Sequence, residues 1–313
     1  MTIHVRKAGL LTTVQASPRS GLRHLGVPAS GPADPLSMAL ANRLVGNDLL
    51  APAMEANLIG PKLEFESETA FALTGARAEA QLNGEAVPFH ETVHARPGDT
   101  LAVGSAEEGA RVYIAFAGGL IADETLGSFS TYLPAAFGGY RGRALKDGDV
   151  LQTRKGIVEE LQTPENFRPP VTSRWVLRMC RSAETHQLIE GQLSVVFDTH
   201  WVVGRRADRM GLELEGETLE VDSSGRLASA PVFPGTIQCP EDGKPFLLGI
   251  DAQTIGGYPR IGQVARADRH LIGQMCAGDQ LQFLPRQPQD AVNELRLKHD
   301  YWGQWLPGIE AII

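Results

Sequence analysis

The chain reads as mainly β, with two β-barrel domains carrying a few short helices. Three observations lead there. Apolar and polar residues alternate with period two in many segments, as in KLEFES, where Leu63 and Phe65 take one side and Lys62, Glu64 and Glu66 the other. The 34 glycines and 20 prolines are many for a helical protein and suit strands joined by tight turns. One turn form also recurs, in RPGDTLAV, KDGDVLQT and CAGDQLQF: a Gly-Asp corner followed by alternating apolar residues.

At 313 residues the chain exceeds the usual size of one core, so two domains are expected. Two of the Gly-Asp corners close strand-rich regions, near residues 150 and 283. They imply an N-terminal β domain over residues 1–165 and a C-terminal β domain over 172–285. The polar, proline-bearing VEELQTPENFRPPVTS lies between them as a linker. TAFALTG and RVYIAFAGG read as strands buried on both faces. Asp34-Pro35 starts a helix, with Asp as N-cap and Pro at the first helical position. Leu36, Leu40, Leu44 and Val45 share a face until Gly46-Asn47 ends it. QVARADRHLIGQM has helical spacing as well. A third helix, from Pro288 to Trp305, occupies a tail over 286–313.

Lys+Arg total 29 against 37 Asp+Glu, a net charge of −8, which disfavours nucleic acid or an anionic membrane as the main partner. MTIHVRKAGLL lacks the long apolar core and cleavage site of a secretory signal. The longest apolar run, residues 112–122, falls well short of the ~20 residues that cross a bilayer. Cys180, Cys239 and Cys276 are odd in number and form no CxxC, as expected of reduced thiols in a cytoplasmic protein.

Several motifs suggest chemistry. HETVH, residues 90–94, matches the zinc-protease pattern, but that chemistry needs a helix to bring both imidazoles to one metal. Pro88 and Pro97-Gly98 bracket it, so solvated strand histidines and no metal are expected. In GSFST, Ser128, Ser130 and Thr131 offer hydroxyls without the full GxSxG pattern. A polar turn is the plain reading and a triad nucleophile the sharper one, and the hydroxyls could also bind a ligand. FGGYRGR lacks the Gly-Lys-Ser/Thr ending of a phosphate loop, so ATP binding by this chain alone is not expected. In GRRADRMG, Arg209 sits at the start of a strand, where its fork could meet a carboxylate. Solvated turn positions suit Arg205 and Arg206.

DAQTIGGYPRIG, residues 251–262, is richest. It follows the apolar PFLLGI, and a hairpin explains Gly256, Gly257 and Pro259 but not Asp251, Gln253 and Thr254. Polar groups at the end of a buried strand need partners. Paired glycines let backbone N–H groups approach a ligand, Tyr258 is held extended by the following proline, and Arg260 supplies a cation. The stretch describes a pocket for a small molecule carrying an amide and a carboxylate.

With the upstream PGTIQCPEDGKP, which contains Gln238, this stretch resembles the family called allophanate hydrolase subunit 2, KipA-like, or the C component of 5-oxoprolinase. GVPASGPAD, ALANRLVGN, Glu55, Gly60-Pro61, FALTGA, YIAFAGG, LGSFST, GGYRGR and LKDGD follow the family order, and the likeness runs from residue 1 to about 284. VQASPRSG departs from the family's VQDxGRxG-like start, Ile255 replaces Thr, Cys239 replaces Val, and MCRSAETH stands where a Gly-Pro is usual.

The resemblance implies two cyclophilin-like β barrels and two partner chains. One partner is KipI-like (allophanate hydrolase subunit 1) and the other LamB/YcsF-like, in a complex that opens 5-oxoproline to glutamate with ATP. Asp251, Gln253 and Tyr258 would act on the lactam amide. Arg209 or Arg260 would hold the carboxylate, and Gln238, Thr254, Gly256, Gly257, Ser128, Ser130 and Thr131 would line the site. ATP would be handled with the partners. The same resemblance allows carboxyl transfer from carboxybiotin, as in urea carboxylase, or regulation by binding a KipI-like kinase inhibitor.

Overall fold

A computed structural model describes all residues except 223–226, and the chain divides into two compact units. Unit 1 comprises residues 1–19, 30–171 and 302–312; unit 2 comprises 20–29, 172–301 and 313. The division after residue 171 falls in the polar segment read as a linker.

Unit 1 is built from β1 (Thr2–Lys7), β2 (Leu11–Gln15), β3 (Ala53–Asn57), β4 (Lys62–Phe65), β5 (Thr69–Leu82), β6 (Glu85–Ala86), β7 (Val93–Ala95), β8 (Thr100–Phe116) and β9 (Val150–Gln152). These form one nine-stranded sheet in the order β2-β3-β8-β4-β1-β9, with β5 along the other edge of β8. Two segments expected as separate strands, TLAV and RVYIAFA, are the ends of the single strand β8. One edge of β8 pairs with β5 throughout, while the other pairs first with β4 and then with β3. Register shifts between Gly75 and Ala80 bend this ribbon, as extra residues in one strand do.

The two-sided burial has a direct cause. Phe71, Leu73, Ile114 and Phe116 enter the main core with Ile3, Val5, Leu63 and Phe65. The alternate residues Ala70, Ala72, Tyr113 and Ala115 meet Met38, Ala41, Leu44 and Val45 on α1 (Pro35–Leu44) and just after it. Small alanines on that face let the helix lie close. Asp34 caps α1 as its sequence indicates, its carboxylate accepting from the N–H groups of Leu36 and Ser37 at 3.1 Å each.

In unit 2, β10 (Arg174–Arg181), β11 (Trp201–Ala207), β12 (Gly211–Glu215), β14 (Thr236–Gln238), β15 (Phe246–Leu248), β17 (Arg260–Val264) and β18 (Gln280–Pro285) close into a barrel. β13 (Ala230–Pro231) pairs with β16 (Ile255–Gly256) outside it. Parallel pairing of β10 with β18 completes the ring, and Trp201, Leu177, Met179, Ile237, Leu247 and Phe283 are among the residues filling it. α2 (Gln192–Asp198) and most of α3 (Pro288–Gly303) belong to this half.

The three Gly-Asp corners share one construction. Asp99, Asp149 and Asp279 each accept, through the carboxylate, the N–H three residues back, at 2.7, 2.7 and 3.1 Å. Gly98, Gly148 and Gly278 take φ of 90°, 87° and 94°, the left-handed geometry such a turn demands. One expected helix is corrected. QVARADRHLIGQM begins as the end of β17, where Gln263 and Val264 pair with Cys180 and Met179. Only Arg266–Gln274 turn, as a 3-10 helix. Ladder bonds to β10 outweigh the helical spacing of the first residues.

Candidate functional site

The stretch after β15 is a strap fastened at both ends by ion pairs. At its start the carboxylate of Asp251 accepts from Arg209 Nε at 2.7 Å and Nη2 at 3.2 Å, and both residues are buried, at 2% and 7% exposure. The Asp251 N–H donates to the Arg209 carbonyl at 2.9 Å. At its end Glu184 receives Arg260 through Nε at 2.6 Å, through Nη2 and through the Arg260 N–H at 3.2 Å. The Arg260 guanidinium holds the Glu184 carboxyl below its usual range, and Glu184 in turn raises Arg260.

These pairs change the expected roles. Arg209 does form a fork onto a carboxylate, but that carboxylate is Asp251. The Arg260 fork is filled by Glu184, and its Nη1 donates to the Pro231 carbonyl at 2.8 Å. Neither arginine has a free bidentate face for a substrate carboxylate, and Asp251 is too enclosed to reach one. Glu184 lies in MCRSAETH, the segment that departs from the family pattern, and no local signal links it to Arg260.

Between the anchors, residues alternate between inside and outside. Ala252 and Thr254 are buried; Gln253, Ile255, Gly257 and Tyr258 are exposed, Tyr258 by 53%. The Thr254 carbonyl accepts from the Val232 N–H at 3.1 Å, tying the strap to the segment around β13. Gln253 Nε2 donates to Gln238 Oε1 at 3.1 Å, and Gln238 Nε2 donates to the Tyr258 carbonyl at 3.3 Å. Gln238 is buried, so this amide relay fixes the exposed Gln253 amide and the backbone of Tyr258 together.

Gly256 lies close under Gln238: a Cβ there would stand 2.6 Å from Gln238 Nε2 and would push the Gln238 amide out of its relay. Gly257 has no contact closer than 3.7 Å and no positive φ, so no such crowding applies to it. Burial pushes the Cys239 thiol up to about 12, leaving it protonated near neutrality and no thiolate nucleophile beside Gln238.

GSFST lies in unit 1, and its hydroxyls serve the backbone. Ser128 Oγ donates to the Ser17 carbonyl at 2.6 Å and Thr131 Oγ1 to the Val14 carbonyl at 2.8 Å. Ser130 Oγ donates to the Ala16 carbonyl at 2.8 Å and accepts from the Ala16 N–H at 2.9 Å. Arg19 donates to the Thr125 and Ser130 carbonyls and stacks over Phe137. The plain reading describes this geometry: the hydroxyls staple a corner. In HETVH, His94 lies exposed on β7 as expected. His90 is corrected from a solvated strand residue: it precedes β7 with φ 64°, and burial lowers its pKa to about 4.

A cavity of about 690 Å³ lies elsewhere in unit 2, lined by residues including Arg181, Phe197, Arg286, Glu294 and Leu297. Its Arg286 and Glu294 pair with each other at 2.8 Å, and no residue of the strap reaches it.

The chain belongs to the family described as carboxyltransferase domain, subdomain A and B, whose model matches residues 25–285. Among individual proteins it is 33% identical over 302 residues to the C component of 5-oxoprolinase from Escherichia coli, covering 96% of this chain and 97% of that one. It is also 33% identical to urea amidolyase of Saccharomyces cerevisiae, over 90% of this chain but 16% of that protein. The solved urea amidolyase of K. lactis superposes with a TM-score of 0.92 at 29% identity, covering this whole chain and 20% of that one. TTHA0988 superposes with a TM-score of 0.82 at 32% identity, over 90% of this chain and 55% of that one.

Proposed function

We propose that the chain is the C component of an ATP-dependent 5-oxoprolinase, opening 5-oxoproline to glutamate together with two partner chains. The observation that carries this reading is the match to the Escherichia coli C component over 97% of that protein. The likeness to urea amidolyase, by contrast, covers about a sixth of a much longer chain.

The strap supplies groups suited to a lactam. The Gln253 amide, held by Gln238, can bond the ring N–H or carbonyl, and Tyr258, five residues on and exposed, would add its hydroxyl. The N–H groups of Gly256 and Gly257 would steady negative charge as it develops on the carbonyl oxygen. Asp251 and Arg209 act behind them, fixing the strap. Phosphoryl chemistry falls to the partners, one KipI-like and one LamB/YcsF-like, because no phosphate-binding loop is present in this sequence.

The test is co-expression with both partner chains and assay of ATP-dependent glutamate release from 5-oxoproline, with this chain alone as control. The expected result is activity of the complex and none of the chain alone. Robust turnover by the single chain would refute this division of labour.

A second reading draws on the family model and the TM-score of 0.92 to urea amidolyase. Here the same amides would face carboxybiotin and an acceptor nitrogen. Carboxyl transfer to urea without 5-oxoproline turnover would favour it.

A further inference from the structure

The two arginines of the strap are filled by Asp251 and Glu184, yet a substrate such as 5-oxoproline brings a carboxylate of its own. A different cation stands beside the strap. Residues 20–29 belong to unit 2, and Arg23 reaches from them to the carbonyls of Val232 and Gln253, both through Nη2. Its guanidinium stacks over Phe233, with Cζ 5.1 Å from the ring centroid. These contacts fix the plane of the group next to the exposed Gln253.

They also leave it incomplete. Among the described residues no carboxylate pairs with Arg23, and its Nη1 is buried without a hydrogen-bond partner. Arg209 and Arg260 in the same region each have a bidentate acid. Burial lowers the pKa of Arg23 from its usual value, as desolvation without a counter-ion does. A partly buried guanidinium with an unsatisfied donor calls for an anion, and a carboxylate oxygen can accept from the Nη1 that the two carbonyls on Nη2 leave unbonded.

We propose that Arg23 receives the carboxylate of the small-molecule substrate at the strap, a role that Arg209 and Arg260 cannot fill. The inference rests on the 5-oxoprolinase reading for the identity of that substrate. Gln253, whose carbonyl Arg23 holds, would then meet the lactam amide while Arg23 holds the acid, which orients the ring by two points.

The experiment uses the complex reconstituted from all three chains, with Arg23, Arg23→Lys and Arg23→Met. Two constants are measured, KM for 5-oxoproline and the inhibition constant of 2-pyrrolidinone, the same lactam without a carboxylate. Thermal melting of each variant checks folding. KM should rise from Arg to Lys to Met, by about ten- to a hundred-fold at Met, with kcat changing far less. Inhibition by 2-pyrrolidinone should not weaken. A parallel loss of affinity for both molecules would make Arg23 a purely structural clamp, and an unchanged KM would dismiss it altogether; either overturns the inference. Absence of 5-oxoproline turnover by the wild-type complex would instead remove the substrate reading on which it stands.

Discussion

Residues 127–143 of unit 1 and 251–262 of unit 2 share ingredients: paired glycines, hydroxyl groups, a Gly-Tyr step and an arginine. They differ in where the polar groups point. In the first, Ser128, Ser130 and Thr131 spend their hydroxyls on carbonyls of residues 14–17, and Gly138 and Gly139 take φ of 71° and 63°. In the second, side chains of both anchors bond inward while Gln253, Gly257 and Tyr258 face out. A glycine-rich polar string is therefore a corner when its donors are consumed by local backbone, and a candidate site when its ends are fastened and its middle is left open.

The largest expected effect tests the corner. A Cβ on Gly138 would stand 2.3 Å from the Ser130 carbonyl and 2.6 Å from Arg19 Nη2, at a φ that L residues rarely adopt. Gly138→Ala should cost about 3 kcal/mol or more of stability, since clash and backbone strain add. Chemical denaturation measures it. A variant of wild-type stability would mean that the corner is loose and that its hydroxyls are available after all.

Next come the outward groups of the strap. Tyr258→Phe and Gln253→Ala should each lower turnover of the reconstituted complex about ten- to a hundred-fold, the value of a lost hydrogen bond to a charged or developing-charge group. The melting temperature of Tyr258→Phe should stay within about 1 °C of wild type, because its side chain is exposed and surface changes cost little. Gln253→Ala leaves the buried Gln238 Oε1 without its donor and should lower it by a few degrees, so turnover is compared per folded protein. Activity that falls only with the amount of folded protein would turn the strap into a second corner.

The glycines sharpen the contrast further. Gly256→Ala pushes on the Gln238 amide, which holds both Gln253 and the Tyr258 carbonyl. It should reduce activity several-fold more than Gly257→Ala, whose added methyl would make only ordinary contacts, the nearest being the Leu227 carbonyl oxygen at 3.7 Å. Equal losses would place a ligand against Gly257. A positive φ at Gly257, which its paired-glycine setting allows, is not needed by the extended strap.

Much of the architecture is legible in the sequence for a local reason. The Gly-Asp corners, the Asp34 cap and the two-faced strands each depend on residues close in the chain, so their pattern carries their geometry. The roles of Arg209 and Arg260 depend on Asp251 and Glu184, brought near only by closure of the barrel. A lone arginine in a string looks free, and only the folded chain shows its partner. Arg23 escapes a reading of the sequence for the converse reason: nothing in GLRHLG marks a residue destined to lie beside residues 232 and 253. Likewise Val264 fits a helical period, yet pairing with Met179 makes it strand.

The smallest effect concerns pH, and it separates the two regions by how they are held. The unit 1 corner is held by neutral hydroxyls and by Arg19, which does not titrate in the accessible range. The strap's far end is held by Glu184, whose pKa is lowered chiefly by its hydrogen bonds from Arg260. A carboxyl whose folded pKa lies below its unfolded value of ~4.3 stabilises the protein fully above that value. That contribution is lost as pH falls through the folded pKa, because the unfolded chain takes up its proton first. Glu184 is partly solvated, with 16% of its side chain exposed, so the contribution is about 1 kcal/mol. Hydrogen exchange should therefore show the amides of Arg260 and Cys239 losing protection from about pH 5 downward, after correction for intrinsic rates. Those of Thr131 and Ala16 should hold their protection over the same range. In Glu184→Gln the acid-dependent loss should vanish, with weaker protection of the strap at neutral pH. Identical pH profiles for the two regions in the wild type would show that the far end of the strap is not anchored by charge, and would leave the Asp251–Arg209 pair and the amide relay through Gln238 as its main support.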